Sequence, residues 1–186
     1  MIVKQVSFST KARQDLIDGI NTLADAVKST LGARGQTVLI ESENHTRGIT
    51  VTKDGVTVAK SINLMHPTQN LAVTMMKEAA ENTAVSAGDG TTTAIVITQA
   101  IVLEAQKRIK DHMNLTDIIR AIQASSKFVV KELVKVSKKV NGKRLLDVAS
   151  ISSNNDVFIG KIIAEAYNAV GDTGVVTVEN ASGTET

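Results

Sequence analysis

The stretch SAGDGTTTA (86–94) decides the reading of this chain. Two glycines flank one carboxylate, three threonines follow, and an apolar segment of helical character, TTTAIVITQAIVLEAQKRI (91–109), begins at once. A helix N-terminus carries unpaired N–H groups and the positive end of the helix dipole, so it suits an anion. Gly88 and Gly90 let the backbone approach a bulky ligand with no Cβ in the way. The hydroxyls of Thr91, Thr92 and Thr93 add donors beside those N–H groups. Asp89 would repel a phosphate unless a cation lies between them, and Mg²⁺ accepts both carboxylate and phosphate oxygens. The loop therefore reads as a phosphate-plus-magnesium cradle. The competing structural reading is an Asp N-cap with threonines packed locally.

Two further glycine loops bear on that choice. STLGARG (29–35) closes the first long helical segment; Thr30 and Gly32 again offer a hydroxyl and open backbone, with Arg34 as a nearby cation. By itself this is the composition of a helix C-cap. TVTKDG (50–55) sets Lys53 and Asp54 side by side at a turn, which by itself is a solvated turn. Three glycine-bearing loops carrying Asp, Lys and Thr are harder to ascribe to coincidence than any one. None is a Walker A loop, since G-x-x-x-x-G-K-[ST] is absent, and GDGTTT lacks the third glycine of a dinucleotide fingerprint.

Composition narrows the remaining classes. Hydrophobic residues make up 42% and charged residues 22% of 186, enough for a packed core and unlike a disordered chain. Aromatics are 2%, so the core is aliphatic, and modules that stack bases on exposed rings are disfavoured; no nucleic-acid partner is expected. With no cysteine, thiolate metal sites, disulfides and Cys nucleophiles are excluded, and the three histidines show no metal-ligand spacing. No Ser is flanked as in a nucleophile elbow. The net charge of +2 is close to balance, and Lys138-Lys139 with Lys143-Arg144 reads as a solvated helix end and turn. No apolar run is long enough for a membrane span, and the N-terminus is too short and polar for a signal peptide. A cytoplasmic protein is expected.

The fold class expected from periodicity is mainly α, with short β hairpins. Val3, Val6 and Phe8 suggest a short first strand, with Ser9 or Thr10 capping a helix whose apolar face is Leu16, Ile20, Leu23, Val27 and Leu31. TVLIESENHTRGITV (37–51) reads as two strands, and Val56, Val58 and Ala59 as a further extended run. Pro67 opens a helix with Leu71, Met75, Met76, Ala79, Ala80 and Thr83 on one face. The helix after Gly90 reads as buried on most sides. Asn114 or Thr116 caps another, with Leu115, Ile118, Ile119, Ile122, Val129, Leu133 and Val136 inward. Two helices follow Asn141-Gly142, the Ser152–Asn155 run reads as capping, and GVVTVE (174–179) reads as a strand in need of a partner.

The three loops together resemble the group I chaperonins, the GroEL type. LADAVKSTLGARG (23–35), TVTKDGVTVAK (50–60), AGDGTTTA (87–94), ISSNND (151–156) and KIIAEAYNAVGDTGVVTVE (161–179) occur in that family's order and spacing. The resemblance implies the N-terminal part of an ATP-binding equatorial domain over 1–137, a helical bundle with short β hairpins. The N-terminal part of an intermediate domain would follow over 138–186. It implies that Thr30, Leu31, Gly32 and Ala33 lie at the nucleotide phosphates, with Lys53 near them. Asp89 would hold Mg²⁺, Gly90, Thr91, Thr92 and Thr93 would wrap the β- and γ-phosphates, and Asp54, the catalytic residue of the set, would match a family carboxylate near the γ-phosphate and the attacking water. ATP and Mg²⁺ are the implied cofactors, and K⁺ is allowed.

The family's members form homo-oligomeric rings, heptameric in the intact group. They bind unfolded clients and a co-chaperonin through an apical domain that has no counterpart here, and the aspartate that activates water arrives on a returning segment also absent from this chain. Ala33 and Arg34 stand where the family has Pro and Lys, and ESENHTRGI (41–49) is about two residues longer than the family's hairpin. The functional expectation is a subunit of an ATP-dependent folding chaperone that supplies the phosphate side of the site. The alternative is a truncated, non-catalytic module that docks on or regulates full-length rings. A stand-alone small ATPase or kinase fits less well, because the site's remaining parts are missing.

Overall fold

The computed structural model describes residues 6–32, 34–41, 48–110, 112–171 and 174–179. It is mainly helical (68%), which bears out the mainly α reading. In chain order the elements are α1 (Ser9–Lys28), β1 (Val38–Glu41), β2 (Ile49–Thr52), α2 (Gly55–Ser61), α3 (Pro67–Ala87), α4 (Thr91–Arg108), α5 (Leu115–Val136), α6 (Lys143–Ser152) and α7 (Val157–Val170). They divide into two compact units, residues 1–113 and 114–186.

The first unit holds a core of Leu23, Ala24 and Val27 from α1, Val58 and Ala59 from α2, Val73, Met76 and Ala80 from α3, and Ile95 from α4. Ile17 is buried one turn earlier on α1. One glycine sets how closely α1 and α3 approach. On α1, a Cβ at Gly19 would lie within 3.0 Å of the Gln69 backbone on α3. β1 and β2 pair antiparallel with Val38 opposite Thr52 and Glu41 opposite Ile49, as the sequence led us to expect; the connecting 42–47, with the length difference expected there, lie outside the described residues.

Several expectations give way to the structure. Residues 6–8 are not a strand, and α1 starts from Phe8 without a side-chain cap from Ser9 or Thr10; Val3 lies outside the described residues. Leu31 falls beyond the end of α1 and is exposed. Val56, Val58 and Ala59 are helical, because Asp54 caps the turn they begin. Pro67 does open α3, but its buried stripe is Ala72, Val73, Met76 and Ala80, while Leu71 and Met75 are exposed. α4 buries only Thr91, Ile95 and Gln99, a single stripe rather than most of its surface.

In the second unit, Asn114 caps α5 through the Thr116 N–H, at 3.0 Å. No residue of α5 is buried, against the inward face expected for it. α6 packs on α7, where Gly160 lies so close to Ser150 that a Cβ would come 2.6 Å from the Ser150 Cα. The turn between them places Asn154 and Asn155 in the left-handed region, and Asp156 then caps α7 through the Ile159 N–H. Residues 174–179 pair with no strand among the described residues.

Candidate functional site

The turn between α3 and α4 is built on two left-handed glycines. Gly88, with φ 73°, ends α3 and donates its N–H to the Ala84 carbonyl at 2.8 Å; Gly90, with φ 84°, is the N-cap of α4. Two positive φ values within three residues exclude most side chains, and this is the physical reason for Gly-x-Gly here. A Cβ at either glycine would meet nothing within 4 Å, so the space over the turn is open. Asp89 sits exposed between them, and its Oδ1 accepts the Gly90 N–H. No side chain caps α4, so Asp89 is not the N-cap that the competing reading required. The three threonines differ: Thr91 is buried, Thr92 is half-buried and Thr93 is exposed.

Thr92 joins this turn to the second loop. Gly55, the first residue of α2, is buried, and a Cβ there would collide with the Thr92 hydroxyl oxygen. The same Cβ would stand 3.1 Å from the Thr92 Cβ and 3.1 Å from the Val27 Cγ1. Val27 belongs to the last turn of α1. One glycine therefore marks the point where the end of α1, the start of α2 and the start of α4 meet, each with its loop attached.

Asp54 immediately precedes that glycine. Its carboxylate accepts from the Thr57 N–H at 2.9 Å, the Thr57 hydroxyl at 2.6 Å and the Val56 N–H at 3.4 Å. Partial burial pushes its pKa up, but the hydrogen bonds from Thr57 and Val56 and the charge of Lys60 outweigh burial and hold it below the usual carboxylate range. Lys53 is exposed beside it.

The first loop is wound on itself. After α1 the N–H groups of Thr30 and Leu31 donate to the Val27 and Lys28 carbonyls, and Gln36 donates back to Ser29 at 2.7 Å. Gly32 takes φ 77°, its carbonyl accepts from Gly35, and a Cβ on Gly35 would strike the Thr30 carbonyl. The Thr30 hydroxyl donates inward to the Val27 carbonyl at 2.8 Å, so it offers an outside partner lone pairs rather than a proton. Leu31 and Gly32 are exposed. Ala33 lies outside the described residues.

Oxygen donors suit a hard cation, and a lone exposed carboxylate fits one whose other ligands come from phosphate and water. Among the described residues no group of three or more His, Asp or Glu side chains could hold a metal without such help. The residues present thus fit Mg²⁺ bound together with a phosphate. Sequence reasoning missed Gly55 as the meeting point, Thr57 as the partner of Asp54, and a buried amide on α4, Gln99. The last was visible in principle, since Thr91, Ile95 and Gln99 recur at steps of four.

A model of the TCP-1/cpn60 chaperonin family matches residues 23–185, a span that contains all three loops. The chain belongs to that family. Its fold is also similar to that of chaperonin gp146 from the bacteriophage EL 2 (Pseudomonas aeruginosa), crystallised in the presence of ATP-BeFx. Two crystal forms match with TM-scores of 0.73 and 0.71 at 30% identity, covering 86% and 87% of this chain. This chaperonin chain spans 28% of the length of those structures. No helix among its described residues is long and apolar enough to cross a membrane.

Proposed function

We propose that this chain supplies the phosphate- and Mg²⁺-binding side of the nucleotide site in a ring-forming, ATP-dependent protein-folding chaperone. The observation that carries this reading is the meeting of Val27, Gly55 and Thr92, which brings three glycine loops of separate helices to one place. The relative crystallised with ATP-BeFx supports ATP as the nucleotide. In this reading residues 1–137 form the N-terminal part of the equatorial domain and 138–186 that of the intermediate domain. A heptameric ring, unfolded clients, a co-chaperonin and a cytoplasmic setting belong to the same proposal.

The residues divide the work by chemistry. The N–H groups at the uncapped start of α4, with the Thr93 hydroxyl, face an anion with the positive end of the helix dipole. Buried Thr91 and half-buried Thr92, which packs over Gly55, hold the turn in shape. Leu31 and Gly32 present backbone, and Lys53 adds a positive charge. Asp89 is the ligand for Mg²⁺, which when bound neutralises phosphate charge. Asp54, hydrogen-bonded to Thr57, accepts a further hydrogen bond from water and orients it.

The test is calorimetric titration of the chain with Mg-ATP. We expect saturable binding that falls by at least about tenfold, near 1.4 kcal/mol, in Asp89→Ala. Equal affinity in the variant would remove Asp89 from the site. A second reading, docking of this chain on full-length chaperonin rings, is favoured by the exposed apolar residues along α5, among them Leu115, Ile119, Phe128 and Leu133. Co-sedimentation with intact rings, independent of ATP, would support it.

A further inference from the structure

Gln99 lies in the buried stripe of α4 and is 4% exposed. A buried amide costs free energy unless it is hydrogen-bonded. Here the partners are on α1: Gln99 Nε2 donates to Asn21 Oδ1 at 2.7 Å and to Asp25 Oδ1 at 3.3 Å. The same Asp25 oxygen accepts from Lys28 Nζ at 3.2 Å. Lys28 is the last residue of α1, directly before the Ser29–Gly35 loop. An aliphatic side chain would fill this position without the desolvation cost, as Leu23 and Val27 do on the facing helix.

What the amide contributes is direction. Apolar contact tolerates a small slide of one helix along another, whereas a pair of directed hydrogen bonds does not. The slide would matter because α1 ends in Thr30, Leu31 and Gly32, and α4 begins behind Asp89 and Gly90. We propose that Gln99 is a positioning residue which, through Asn21 and Asp25, sets the spacing between the two loops that hold the nucleotide phosphates. The inference rests on the nucleotide reading of those loops.

The chain has no cysteine, so spin labels can be placed at Gln36→Cys and Val85→Cys, two exposed positions beside the Ser29–Gly35 loop and the Gly88-Asp89-Gly90 turn. Pulsed dipolar spectroscopy then reads the distance between them, and titration with Mg-ATP reads affinity. Gln99→Met keeps the volume and removes the amide; Gln99→Glu sets a second carboxylate against Asp25. Asp25→Ser deletes the acceptor at a side chain that is 65% exposed, where folding is not at issue. We expect a narrow distance distribution in the labelled parent and a broadened one in all three variants. Mg-ATP affinity should drop about tenfold, or 1.4 kcal/mol, while the unfolding midpoint of Gln99→Met is retained.

Unchanged distances would overturn the inference. So would broadened distances with full Mg-ATP affinity, which would leave Gln99 a purely structural residue. A labelled parent that shows the narrow distance yet takes no Mg-ATP would overturn the nucleotide reading instead.

Discussion

A methyl group at residue 55 would occupy space already held by the Thr92 hydroxyl and would press on Val27. Gly55→Ala should therefore cost about 1–3 kcal/mol, the usual penalty for overpacking. Replacing Thr92 by Ala in the same chain should recover part of it, as urea unfolding of the single and double variants would show. Asp54 makes a second prediction. Its pKa is depressed in the folded chain, so its stabilising contribution is fully present above the unfolded value, about 3.9, and is lost as pH falls through the folded value. The stability gap between the parent and Asp54→Ala should be constant near neutral pH and close below about pH 4. Thr57→Val should narrow the gap by removing the hydroxyl donor. A gap that widens with acid would contradict the assignment.

At the scale of elements, what could be read from sequence followed from local chemistry, and what could not followed from packing. The Gly88-Asp89-Gly90 turn was legible because positive φ selects glycine whatever surrounds it. So were the strands β1 and β2 and the start of α3 at Pro67. The short α2 was not, since Val56 and Val58 alternate like a strand; the cap at Asp54 and the burial of Gly55 against Thr92 override that pattern. On α3 the expected face was misplaced: Leu71 and Met75 face solvent while Ala72, Val73, Met76 and Ala80 pack. The period identifies a helix, but its neighbours choose the side. α5 is the extreme case, a strongly amphipathic helix with no buried residue. Leu133→Ser, at a position 58% exposed, should change stability by less than about 0.5 kcal/mol. Leu23→Ala, at a fully buried position, should cost about 2–5 kcal/mol. Guanidinium unfolding of the two variants side by side would check the contrast.

Over the whole molecule, family membership was legible because the three loops carry chemistry that tolerates few substitutes. The strand expected at 174–179 was not confirmed, since pairing depends on a second segment that no local pattern specifies. The three candidate loops and the buried core that joins them all lie within the first of two compact units. The chain covers about a quarter of the length of the phage chaperonin it resembles. In the proposed function, Thr30–Gly32, Lys53–Asp54 and Asp89–Thr93 act together on one Mg-nucleotide. Amide hydrogen exchange of the chain with and without Mg-ATP tests this most directly. The peptides spanning 29–36, 52–57 and 88–94 should gain protection together, and Asp89→Ala should abolish the gain in all three. No protection in any of them, or protection of one loop while the other two exchange unchanged, would contradict it.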